Sequence, residues 1–140
     1  LRAVVAEAFD ELIAVLHAGA QDDDPVDRLF SLCRGYLDFA RDFPERYRLM
    51  FGGVWEVSDT DDEVELEERA RVGRSAFNVL VEALDACSEA GVSDSSDPFT
   101  DATALWVALH GMAGLRQTAP LFPWPSHLDD LLIRSLARLS

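Results

Sequence analysis

Three histidines, two cysteines and 26 acidic residues are the side chains of this 140-residue chain best suited to metal or acid–base chemistry. None stands in a pattern that such chemistry requires. His17, His110 and His127 lack a Glu three residues before them, so the Glu-x-x-His pair of di-iron bundles is absent. No His-Glu-x-x-His run offers a zinc site, and there is no glycine-rich phosphate loop or Gly-x-Ser-x-Gly elbow. The acidic runs Asp22–Asp24 and Asp59–Glu68 lack calcium-loop spacing and read as solvated surface. Triads assembled in space leave no local motif, so a small helical enzyme is the weakest of three readings. No catalytic residue, metal or cofactor is expected.

The positive signal is aromatic. Tyr36, Phe39, Phe43, Tyr47, Phe51, Trp55, Phe77 and Trp106 fall on faces that should point inward. Each taken alone is ordinary core filling. Together they fit an apolar cavity between helices, oriented by a few polar groups. The expected ligand-binding set is Tyr36, Phe39, Tyr47, Met50, Phe51, Trp55, Phe77, Asn78, Trp106 and His110, with Arg74 a further polar candidate. Trp106 and His110, four residues apart, share a helix face. On the same helix Ala104, Ala108, Gly111 and Gly114 make a small-residue face. Interior glycines cost a helix about 1 kcal/mol each relative to Ala, so a close approach is implied, either within the chain or at a subunit interface.

Helices must position these residues, because nearly every segment has helical periodicity and no strand alternation persists. Leu1, Val5, Ala8, Leu12 and Leu16 predict a helix from the first residue to about Ala20, uncapped at its start, as in a chain cut from something longer. Asp24-Pro25 predicts an N-cap followed by proline at the first helical position. The wide apolar face that follows, Leu29 to Phe43, marks a central helix, which Pro44 breaks. A short helix should run Pro44–Phe51 and end at Gly52-Gly53. Val54–Asp59 reads as a loop, and Thr60 to Glu63 as a capping box. The longest helix follows to about Ala90, with the stripe Leu66, Ala70, Gly73, Phe77, Leu80, Leu84, Cys87 and a Gly91 C-cap. Asp97-Pro98 starts another helix, to about Thr118. Pro120, Pro123 and Pro125 should hold an extended segment. Ser126 should cap a last helix reaching Ser140, with Leu128, Leu131, Leu132, Leu136 and Leu139 on its apolar face. There is no internal repeat or linker, so residues 1–140 read as one domain.

Composition narrows the function. A formal net charge of −14 repels nucleic acid. No apolar run approaches the roughly 20 residues of a membrane span, and Glu7, Asp10 and Glu11 interrupt the first segment as a secretory leader would not allow. Cys33 and Cys87, without a CxxC, read as reduced core thiols of a cytoplasmic protein. The basic residues are all arginine, Asn78 is the sole asparagine, and Ile13 and Ile133 are the only isoleucines. That usage fits a GC-rich bacterial genome.

Three segments carry a resemblance. Trp106-Val-Ala-Leu-His110-Gly111 resembles the Trp-x-x-x-His-Gly signature of one subgroup of TetR-type transcriptional regulators. Asp24-Pro25-Val-Asp-Arg-Leu, Tyr36-Leu-Asp-Phe39-Ala40 and Pro44-Glu-Arg-Tyr47-Arg-Leu-Met50-Phe51 are similar, in order, to that subgroup's fifth and sixth helices. Leu1 to Leu16 resembles the fourth. The resemblance implies an all-α, six-helix effector-binding and dimerisation domain, an orthogonal helical bundle. Its last two long helices would pair with their mates in a four-helix bundle. It implies a homodimeric, ligand-responsive regulator, a repressor, that senses a small apolar effector. Operator DNA would be held by an N-terminal helix-turn-helix headpiece outside residues 1–140. The interface residues would be Ala104, Ala108, Gly111, Leu115, Leu128, Leu132 and Leu136. The alternative is a stand-alone helical interaction module without DNA binding.

Overall fold

The computed structural model describes residues 2–51 and 63–140. The side chains of residues 2–5, 51, 63–66, 68–70 and 72 lie outside that description, as do Trp55, the expected loop and most of the expected capping box. Among the described residues there are six helices: α1 Arg2–Gly19, α2 Pro25–Asp42, α3 Pro44–Phe51, α4 Glu63–Glu89, α5 Pro98–Thr118 and α6 Leu128–Leu136. No described helix is long and apolar enough to cross a membrane.

Helix starts follow local chemistry. The Asp24 carboxylate accepts the Asp27 N–H at 2.9 Å, and Pro25 occupies a position whose own N–H would be unpaired. Asp97 repeats the device, accepting the Thr100 N–H at 3.2 Å and its hydroxyl at 2.6 Å. The α2 helix ends at Phe43, before the proline that opens α3. Gly91, at φ 75°, takes the left-handed conformation that closes α4.

Packing centres on α2, which touches all five other helices. Its buried face runs Leu29, Phe30, Leu32, Cys33, Tyr36, Leu37, Phe39 and Ala40. α1 lies close against it, where a Cβ on Gly19 would come within 3.1 Å of the Leu32 backbone nitrogen. α4 packs on α1, α2 and α5. Cys33 and Cys87 are both free and buried. Burial pushes the Cys33 thiol up to about 12 and raises that of Cys87, which donates to the Pro25 carbonyl at 3.3 Å. Both stay protonated core thiols.

The C-terminal quarter departs from the sequence reading in three ways. The proline segment turns rather than extends: Phe122 N–H bonds to the Ala119 carbonyl at 3.2 Å, and the Trp124 indole to the same carbonyl at 3.0 Å. Ser126 does not cap the last helix. His127 sits at the cap position without a side-chain bond, and Asp129 pairs with Arg116 at 2.6 Å. The helix is not long and does not reach Ser140. Arg138, at φ 54°, turns the chain back so that Ser140 N–H bonds to the Val92 carbonyl at 3.0 Å and Leu139 bridges Ser93. The Ser93 hydroxyl, buried, donates to the Ala137 carbonyl at 2.7 Å. These bonds outweigh the leucine periodicity that argued for more helix.

Candidate functional site

A cavity of about 400 Å³ lies between α1 and α2 on one side and α4 and α5 on the other. Its floor is apolar: Phe9, Leu12 and Leu16 from α1, with Leu32, Cys33 and Tyr36 from α2, all buried. One wall comes from α4, through Gly73, Arg74, Ala76, Phe77 and Leu80. The opposite wall comes from α5, through Phe99, Thr103, Trp106 and Leu109. Arg74, Phe99 and Trp106 are exposed, so the cavity opens between α4 and α5. Phe77 braces that opening, meeting the Phe99 ring edge-on at 5.5 Å and the Trp106 ring at 6.2 Å. A Cβ added at Gly73 would meet nothing within 4 Å. Among the described residues no close helix contact demands this glycine, costly as it is to helix stability, and it leaves the wall hollow.

Behind the cavity runs a hydrogen-bonded chain across three helices. The Tyr36 and Tyr47 hydroxyls are 2.7 Å apart, and the Tyr47 hydroxyl is 2.6 Å from His110 Nδ1. Burial pushes Tyr36 up to about 12 and raises Tyr47 too, so both remain phenols. Burial lowers His110, favouring the neutral ring. The direction that leaves no hydroxyl hydrogen unspent is Tyr36 to Tyr47 to His110 Nδ1, with the His110 proton on Nε2. Protonating His110 would reverse the chain, because Nδ1 could then only donate. The Tyr36 hydrogen would be left facing an apolar wall.

The chain also reaches α1. Tyr47 belongs to α3, whose Arg46 grips Glu11 of α1 at 2.5 Å. One short helix therefore touches both the wall of the cavity and the first helix of the domain. A second hollow, of about 530 Å³, lies among Arg41, Arg48, Arg116, Gln117 and neighbours from α2, α3 and α5. Its charges are largely spent on one another, as in Arg41–Asp38 at 3.2 Å and Arg116–Asp129 at 2.6 Å. The apolar cavity is the better-formed receptor for a small molecule.

Comparison with known proteins bears on this architecture. A family model described as "Tetracyclin repressor-like, C-terminal domain" matches residues 29–139. The chain belongs to that family. The fold is shared with a solved "protein with unknown function from Rhodococcus sp. RHA1", at a TM-score of 0.78 and 21% identity, over 97% of this chain and 71% of that one. No curated protein matches the chain.

In this tetracyclin repressor-like domain the residues singled out from sequence fall into distinct places. Tyr36, Phe77, Trp106 and Arg74 line the cavity. Tyr47 and His110 stand behind it in the hydrogen-bonded chain. Phe39 and Met50 are buried in the core rather than on the lining, Phe39 against the Phe43 ring at 5.5 Å. Asn78 is exposed and away from the lining. The Phe51 side chain and Trp55 lie outside the described residues. The floor residues from α1 were not anticipated, because a periodic stripe reports that a helix is amphipathic but not which partner stops short of it. The usable signal was Gly73, a glycine inside an otherwise apolar stripe.

On the outer face, Ala104 is exposed and Ala108 and Gly111 half-buried, beside Val107 and Leu115 at 59% and 53% exposure. A Cβ on Gly111 or Gly114 would meet nothing within 4 Å, so no close contact among the described residues explains either glycine. Leu128, Leu132 and Leu136 pack, partly buried, against the domain's own core, and Leu131 is the α6 leucine turned outward, at 61% exposure.

Proposed function

We propose that this chain is the effector-sensing and dimerising domain of a TetR-type transcriptional repressor. A small, largely apolar ligand enters between α4 and α5. The observation that carries this reading is the apolar cavity of about 400 Å³, walled by four helices in a domain of this family. Its size lies within the roughly 300–1,000 Å³ of small-molecule pockets. Within this reading the Trp-x-x-x-His-Gly segment marks the subgroup: its Trp106 lines the cavity and its His110 ends the hydrogen-bonded chain behind it.

Operator contact belongs to a helix-turn-helix headpiece separate from residues 1–140, whose charge of −14 opposes DNA binding. α1, about 27 Å long for its 18 residues, links the headpiece to the cavity. Ligand pressing on Trp106 or Tyr36 disturbs Tyr47, shifts α3, and through Arg46–Glu11 tilts α1. A second copy covers the Ala104, Val107, Gly111 and Leu115 face of α5, fixing the spacing of two headpieces at about 34–36 Å.

The test is an operator titration of the regulator carrying its headpiece, with and without a saturating cavity ligand. Weakened operator affinity with ligand is expected, and by linkage the operator must weaken ligand binding equally. Unchanged operator affinity would refute the coupling. Tight sequence-specific DNA binding by residues 1–140 alone would refute the division of labour.

A further inference from the structure

Among the described residues that line the cavity one side chain is charged, Arg74, and the arginines elsewhere make it distinctive. Arg34, Arg41, Arg46, Arg48, Arg116 and Arg138 each sit on a carboxylate. Arg28 donates to the backbone carbonyls of Asp22 and Asp23, Arg134 lies over the Phe30 ring, and Arg71 is also engaged. Arg74 lines the cavity and is exposed, yet among the described residues it makes no ion pair, hydrogen bond or ring contact. In a chain of formal charge −14, a guanidinium left without a carboxylate is a vacant place for an anion.

The inner end offers an anion nothing. Leu12, Leu16 and Leu32 are buried and apolar, the Cys33 thiol is protonated, and the Tyr36 hydroxyl is already bonded to Tyr47. A carboxylate placed there would be desolvated without a partner. The Thr103 hydroxyl on the wall donates to the Phe99 carbonyl at 2.8 Å. Only one orientation suits both ends, with the apolar body inward and the charge at the mouth.

Resting on the reading of this cavity as the effector site, we propose that the effector is an amphipathic organic acid whose apolar body fills the cavity and whose carboxylate is held by Arg74. Cationic amphiphiles are disfavoured by the same arginine, and polyols by the lack of polar partners at the floor.

Decanoate, decanol and decylammonium separate head from body. Each is titrated calorimetrically into residues 1–140, wild type and Arg74→Gln, with thermal melts to show both folded. Glutamine is a good helix former at this exposed position, so the fold should persist. Wild type should bind decanoate about tenfold tighter than decanol, the low end for a charge-assisted bond at an exposed rim, and decylammonium most weakly. Arg74→Gln should bring decanoate down to the decanol level and leave decanol unchanged. Equal affinity for decanoate and decanol in wild type would overturn the anionic head while leaving the cavity site standing. Binding of neither would overturn both.

Discussion

The hydroxyls of Tyr36 and Tyr47 meet at 2.7 Å, joining a residue on the cavity wall to the short helix that grips α1. Tyr47→Phe removes the middle oxygen of the chain while keeping the ring. His110 Nδ1 and the Tyr36 hydroxyl then lose a buried partner. Stability should fall by about 1–3 kcal/mol, the usual cost of a buried group left unsatisfied. A urea midpoint within experimental error of wild type would show that these bonds contribute nothing net. In the regulator with its headpiece, the same variant should keep ligand affinity but respond to ligand with less operator release.

His110 is expected to make the domain less stable in acid. Its folded-state value lies below the ordinary 6.5 because burial disfavours the charged ring. Below about 6.5 the unfolded chain therefore takes up the proton more readily than the folded one, and stability rises with pH across this window. It is full above the window and declines as pH falls from 6.5 toward the folded value. Melting wild type and His110→Gln between about pH 7.5 and 5.5, the histidine range, should show a shallower acid decline in the variant. Identical slopes would mean that His110 is free to charge in the folded state.

The outer face of α5 predicts a dimer. Val107 and Leu115 are more than half exposed beside glycines that no contact among the described residues explains. Soluble monomers avoid large contiguous apolar patches. Light scattering at micromolar concentration should give twice the 15.5 kDa chain mass, and Val107→Asp should give a monomer with unchanged helix content. A monomeric wild type would sink the interface. Gly111→Ala supplies a check of opposite sign: a free helix should gain about 1 kcal/mol, whereas a tightly apposed pair should dissociate more readily.

Much of this was legible in the sequence where a local signal decides the outcome. Asp24-Pro25, Asp97-Pro98, Pro44 and Gly91 set helix ends within one or two residues because capping is a matter of neighbouring atoms. The tail was not legible. Leucines at 128, 132, 136 and 139 continue a helical period, yet Arg138 in the left-handed region and a backbone bridge to Ser93 end the helix early, and those partners are distant in sequence. The site divides in the same way. Tyr36, Phe77 and Trp106 follow from aromatic type and face. That Tyr47 and His110 stand behind the wall, and that α1 supplies the floor, depends on how α1, α2 and α3 pack.

Filling the cavity tests the site itself. Gly73 and Ala76 line it one turn apart on α4, and Gly73 has open space where a side chain would begin. The double variant Gly73→Leu/Ala76→Leu removes a helix glycine, so its melting temperature should hold or rise. Calorimetric titration of wild type and variant with decanol, a probe without charge, should find one site per chain in wild type and affinity reduced at least about tenfold in the variant. Equal binding by both would place the ligand elsewhere and contradict the cavity as the effector site.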